Sequence, residues 1–192
     1  MNAVVSFVKR KIFRIDRDRW NYQYTKGVWD GLRTPEELAR FSIIVGYVKF
    51  FKPGQPEILE IGCGEGLLQQ RLQPQNYGRY VGTDISDAAV AKAQAQADDK
   101  CRYLAADMDT YEPEGQYDLI IFNEVIYYSK HPVDTLRRLA TYLKPDGLLV
   151  VTVNGQPRHA QLLTDIRAGF TLADETTVSN AKNTWFCLVG RY

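Results

Sequence analysis

From Glu57 onward the chain alternates short apolar runs with segments of helical pattern. Ile58-Leu59-Glu60-Ile61 predicts a strand, and residues 64–72 turn from a glycine loop into a helix. Residues 79–84 predict a second strand, and the alanine-rich run 87–97 a helix capped by Ser86. Strands follow over 102–105 and 117–122, then a helix over 132–143 and a strand over 148–153. Strands apolar on both faces, separated by helices, imply a parallel sheet covered on both sides. The tail breaks this rhythm: a helix over 157–168 is followed by strands over 170–178 and 184–189. Only Ser179-Asn180-Ala181-Lys182-Asn183 separates those strands. Five residues hold no crossover helix, so the last pair is antiparallel.

The first fifty residues read as helical and aromatic, with Trp20, Tyr22, Tyr24, Lys26 and Trp29 close together. Thr34-Pro35-Glu36-Glu37 predicts a helix start, with Thr34 as N-cap and Glu37 closing a capping box. That helix shows Phe41, Ile44, Val45 and Val48 on one face and stops at Pro53-Gly54. The expected class is therefore α/β: a doubly wound, mostly parallel seven-stranded sheet ending in an antiparallel hairpin. One domain spans 1–192, with an N-terminal helical segment over 1–52 and a core over 55–192.

Composition narrows the function classes. Hydrophobic residues make up 45% and charged residues 24% of the 192, an ordinary globular balance. The densest apolar run, 41–51, is interrupted by Lys49 and is too short for a membrane span. The apolar stretch 3–8 precedes the basic cluster, which is the wrong order for a signal peptide. Cys63, Cys101 and Cys187 form no CxxC spacing, which points to reduced thiols in the cytoplasm and to no metal site. A net charge of +1 argues against a nucleic-acid partner. Lys9, Arg10, Lys11, Arg14, Arg17 and Arg19 meet only Asp16 and Asp18, however. This arm either contacts an anionic group or is a solvated helix face.

The strongest chemical signal is Glu60-Ile61-Gly62-Cys63-Gly64-Glu65-Gly66, a strand entering a glycine turn that opens a helix. Glycines admit close backbone approach, and the helix start offers unpaired N–H groups. Leu67 stands where a dinucleotide fingerprint carries its third glycine. The stretch resembles motif I of the class I S-adenosylmethionine (SAM)-dependent methyltransferases, a Rossmann-like family, and the similarity continues in order over roughly residues 55–155. That resemblance implies SAM as cofactor. It implies that Glu60, Gly62, Cys63, Gly64 and Gly66 form the loop against it, that Asp84 with Ile85 holds the ribose, and that Asp107 with Met108 holds the adenine. Asn123, ending strand four, completes the set. The final hairpin is also similar to this family.

The acceptor side is less constrained. The family's Asp/Asn-Pro-Pro-Tyr/Phe motif is absent after strand four, which disfavours a nucleobase or glutamine acceptor. Glu124-Val125-Ile126-Tyr127-Tyr128 instead resembles small-molecule methyltransferases, including nodulation-type sugar methyltransferases. Tyr128 is a candidate for orienting the acceptor, or packs with Tyr127 under the next helix. His131 is a candidate base or a turn residue, as is His159. The expected acceptor is a small polar molecule, such as a sugar or its nucleotide-linked form. The resemblance also implies that the N-terminal helical segment folds over the cofactor as a lid, where its aromatic residues either attract the sulfonium through cation–π contact or pack the lid onto the sheet. Two other readings stay open: a nicotinamide-dependent oxidoreductase on the same layered fold, and a SAM-binding protein without catalysis.

Overall fold

The structure is a computed structural model that describes residues 17–72 and 76–192. Lys9, Arg10, Lys11, Arg14 and the apolar stretch 3–8 lie outside the described residues. Helix α1 (Arg17–Thr25) leads through two 3-10 turns, Asp30–Arg33 and Pro35–Glu37, into α2 (Leu38–Phe51). There follow β1 (Glu57–Ile61), α3 (Leu67–Leu72), β2 (Arg79–Asp84), α4 (Asp87–Gln94), β3 (Cys101–Ala105) and β4 (Tyr117–Asn123). A 3-10 turn at Ile126–Tyr128 precedes α5 (Pro132–Ala140), β5 (Leu143–Asn154), α6 (Ala160–Gly169), β6 (Thr171–Ser179) and β7 (Thr184–Arg191).

The seven strands form one sheet in the order β3-β2-β1-β4-β5-β7-β6. The first five are parallel, while β7 runs antiparallel to both β5 and β6. The expected fold class is the one observed. Alternation along the strands explains why they read as continuous apolar runs. Ile58, Leu119, Ile121, Val150 and Val189 face a core shared with Ile44 and Val48 of α2 and Leu68 of α3. Leu59, Ile61, Ile120, Phe122, Val151 and Leu188 face the opposite core, shared with Leu136 of α5 and Ile166 of α6. With a core on each side, neither face of a central strand tolerates a polar register.

Three local expectations fail for identifiable reasons. The capping box does not form: Thr34 Oγ1 donates to Gly31 O, and the Glu37 carboxylate takes two bonds from Arg40. Residues 35–37 become a 3-10 turn and α2 begins at Leu38. Helix α5 ends at Ala140, short of 143, because β5 begins at Leu143 and is bulged where it pairs with β4. Gly147 sits on that bulge, where a Cβ would lie 2.8 Å from the carbonyl of Tyr117. Ser86, by contrast, caps α4 as expected, its Oγ accepting from Ala89 N at 3.2 Å.

Candidate functional site

The C-terminal ends of the parallel strands open into a cavity of about 210 Å³, where the strand order reverses between β1 and β4. Such switch points are where open α/β sheets bind ligands. The strand order also lays out the lining. Asp107 follows β3, Asp84 ends β2, Gly62 follows β1, Asn123 ends β4, Asn154 ends β5 and Trp185 lies in β7 opposite Asn154.

The glycine loop is shaped by close approaches. Gly62 has φ +69° and a Cβ there would run into Val125, while Gly64 has φ +53° and faces the Tyr24 hydroxyl of the lid. Side chains are therefore excluded at both positions. Asp84 fixes the loop from below: its Oδ2 accepts from Gly64 N at 3.0 Å and its Oδ1 from Ser86 N at 2.8 Å. Burial pushes the Asp84 carboxyl up to about 6, against the pull of those backbone donors. The Ile85 N–H also acts on the carboxylate, which keeps acceptor capacity beyond these donors. The 106–109 loop is braced by Arg138, which donates to the carbonyls of Met108 and Tyr111. Asp109 fastens the same loop to the start of α5 through Ser129, Thr135 and Lys130 N.

The N-terminal segment closes the cavity as a lid. Asn21 Oδ1 accepts from Ser86 Oγ at 2.8 Å and Ala88 N at 3.1 Å at the start of α4. Lys92 donates to Tyr24 O and, with Arg33, clamps Glu65 of the glycine loop. Trp20, Tyr24 and Trp29 consequently line the cavity, with Trp20 stacked on Trp29 at 5.6 Å and edge-on to Tyr128 at 4.9 Å. Tyr22 and Lys26 do not belong to this wall: Tyr22 is exposed, with the Lys26 ammonium 5.9 Å from its ring.

Of the residues named from sequence, Gly62, Asp84, Ile85, Asp107, Met108, Asn123 and Tyr128 line the cavity. Glu60, Cys63, Gly64 and Gly66 are not on its wall but support it from behind. The Cys63 thiol is buried and held well above its ordinary value by that burial, which suits a filler and not a nucleophile. Glu60 is buried, accepts from Tyr80 Oη at 2.5 Å, and is pushed up to about 8 by burial. Ionising it therefore destabilises the fold: its stabilising protonated form is lost as pH rises from about 4.5 through about 8. Glu60→Gln is expected to flatten the fall in melting temperature between pH 5 and 8.5. Parallel pH profiles for the two proteins would show the assignment to be wrong.

Neither histidine suits the role of base. His131 is exposed at the start of α5 and off the cavity wall, because the chain turns away into Pro132. His159 is stacked on Tyr127 at 4.3 Å; its Nε2 accepts from Arg158 Nε at 3.1 Å and its Nδ1 lies 3.0 Å from Asn154 O. A guanidinium only donates, so the Nε2 lone pair is occupied and the ring serves packing.

Two residues given no role by sequence stand out. Arg40 is a buried cation on the cavity wall, bonded to Glu37 and through Nη1 to Asn123 Oδ1. Glu124, directly after β4, lines the cavity with φ +60°, and its Oε1 is buried without a partner. The Trp29 Nε1 donor on the same wall is also buried and unpartnered. An orphan donor, an orphan acceptor and a glycine cradle fit a polar ligand of mixed donors and acceptors.

A family model described as a methyltransferase domain matches residues 34–181. The chain belongs to this methyltransferase family. The ubiquinone biosynthesis O-methyltransferase of Rickettsia bellii is 29% identical to it over 177 residues, covering 90% of the chain and 72% of that relative. Among solved structures, the methyltransferase is similar to the N-methyltransferase NodS from Bradyrhizobium japonicum with S-adenosyl-L-homocysteine (SAH). That match has a TM-score of 0.73 at 18% identity and covers 90% of this chain and 97% of the other. It is also similar to 1,6-didemethyltoxoflavin-N1-methyltransferase from Burkholderia thailandensis, with a TM-score of 0.74 at 18% identity, covering 95% and 89%. At that identity the shared property is the fold. The methyltransferase is SAM-dependent, an enzyme of the class I type that its ordered motifs resemble. No helix among the described residues is long and apolar enough to cross a membrane.

Proposed function

We propose that the methyltransferase moves a methyl group from SAM to an oxygen or nitrogen of a small polar molecule, within one domain made of the lid and the sheet core. The observation that carries this is the continuity of the cavity. One wall runs from Asp107 and Asp84 past Gly62 to Asn123, and the same cavity continues to Glu124, Tyr128, Asn154 and Trp185. Donor and acceptor ends lie under one lid. Asp84 accepts from the ribose hydroxyls, Asp107 and Met108 flank the adenine, and Arg40 lies where a carboxylate of the donor finds a buried cation. Glu60, Cys63, Gly64 and Gly66 are buried and shape this end from behind.

The donor supplies a methyl already activated by a sulfonium. What the protein adds is alignment and exclusion of water by Trp20, Tyr24 and Trp29. The relatives named above include both O- and N-methyltransferases, in keeping with either acceptor atom. A sugar or sugar nucleotide is a narrower acceptor within the same proposal, and Arg158 and, more weakly, Arg19 act electrostatically on the Tyr128 hydroxyl. The three buried, unpaired cysteines support a reducing, cytoplasmic setting.

Incubation with methyl-labelled SAM and a small-molecule extract tests the proposal. Label is expected in a low-mass polar product; label appearing only in protein or nucleic acid would contradict it. Tyr128→Phe is expected to lower turnover at least about tenfold while SAH affinity changes less than about twofold, because the hydroxyl serves the acceptor. A variant with unchanged turnover would remove Tyr128 from the acceptor site.

A further inference from the structure

We propose that Glu124 is the group that receives the methyl acceptor, and that the acceptor is an amine held there as its ammonium ion. The inference rests on the methyl-transfer reading above and narrows it to one atom type. It starts from the backbone. Glu124 has φ +60°, the one positive φ at a non-glycine among the described residues. Ordinary side chains disfavour this conformation, and sites that keep it often use it. Here it places Glu124 on the cavity wall directly beyond β4, next to Asn123.

The carboxyl is then left short of partners. Tyr127 Oη donates to Oε2 at 3.2 Å, while Oε1 is buried with none. The groups facing it from neighbouring elements are few. From α2 and the turn before it come Arg40 and Glu37, from β5 the Thr152 hydroxyl, from β7 Cys187, and from its own turn Tyr127 and Tyr128. Arg40 is the nearest cation, and its guanidinium is already bonded to Glu37 and Asn123. Burial accordingly pushes the Glu124 carboxyl up to about 7 in spite of Arg40. A buried carboxylate without a counter-charge is costly, and a ligand that brings the charge removes the cost.

The surroundings choose the kind of ligand. Trp20, Tyr127, Tyr128 and Trp185 line the same cavity, with Trp20 and Tyr127 each in ring contact with Tyr128. Aromatic faces around an unpaired carboxylate complement an ammonium ion, whereas an alcohol gains only a hydrogen bond. A carboxyl poised near neutrality also suits a general base. One N–H proton passes from the ammonium to the Glu124 carboxylate, which frees the nitrogen lone pair. The new N–C bond forms as the donor's S–C bond breaks, with that electron pair left on sulfur, and Glu124 later releases its proton to water.

The test uses the full chain saturated with SAH, with benzylamine and the near-isosteric benzyl alcohol as probes, read by tryptophan fluorescence at pH 7.5. Benzylamine is expected to bind at least about tenfold more tightly than the alcohol, as one charge-assisted bond allows. Glu124→Gln should abolish that preference while SAH affinity stays within about twofold. Glu124→Asn, which tolerates a positive φ, should melt no lower than the parent protein. Equal binding of the two probes, binding of neither, or a preference that survives in Glu124→Gln would overturn the proposal. So would a loss of SAH affinity in Glu124→Gln, which would assign the carboxylate to the donor. Failure of the parent protein to bind SAH at all would instead count against the methyl-transfer reading itself.

Discussion

Asp84→Ala is expected to weaken SAH binding by about 2 kcal/mol, about thirtyfold, in a protein that still folds. The carboxylate carries two burdens. It accepts from Gly64 N and Ser86 N, and its remaining lone pairs are the acceptors available to ribose hydroxyls at the end of β2. Its removal strands those hydroxyls in a buried site and releases the glycine loop. The pH dependence follows from the same burial, which raises the carboxyl from 3.8 to about 6. Because the folded value is the higher one, ionisation works against stability, so this group's contribution declines as pH rises from about 3.8 through about 6. Ligand affinity has the opposite sign, since the ionised form is the better acceptor. SAH should therefore bind more weakly below pH 6, and Asp84→Asn should lose that dependence. Calorimetry across pH 5 to 8 measures both; unchanged affinity in folded Asp84→Ala would sink the assignment.

Gly62→Ala is expected to cost about 2 to 4 kcal/mol, a drop in melting temperature on the order of 10 °C, and to abolish SAH binding. The cost has two sources that separate experimentally. Alanine at φ +69° is strained, and its Cβ meets the side chain of Val125. Val125→Gly removes both the Cγ2 and the Cβ, which would lie 2.3 and 2.6 Å from the new Cβ, and leaves the backbone strain, so in that background Gly62→Ala should cost roughly half as much. Thermal unfolding of the parent and the three variants decides this. A Gly62→Ala protein that melts with the parent would mean that the loop does not pack as described.

The layered fold was legible because both faces of its sheet are buried, which gives β1, β4 and β5 short runs with apolar side chains on both faces, such as 119–122 and 148–151. The short Ser179–Asn183 connection likewise settled the antiparallel end. Asp84, Asp107 and the glycines were legible because backbone geometry ties them to fixed places at strand ends. What the sequence hid depends on partners distant along the chain. Glu37 reads as a capping residue until Arg40 claims it, and Arg40 has no role in the sequence until it meets Asn123, 83 positions away. His159 looks like a base until Arg158 and Asn154 occupy both ring nitrogens. Glu124 was in plain view within its motif, yet only its φ and its empty Oε1 mark it.

The central claim is that the crevice above β1, β2 and β4 takes SAM and not a dinucleotide. Parallel calorimetric titrations of the parent protein with SAH and with NADH, without added metal, test it most directly. One SAH site of micromolar affinity with no heat from NADH is the expected result. Saturable NADH binding with no response to SAH would contradict it.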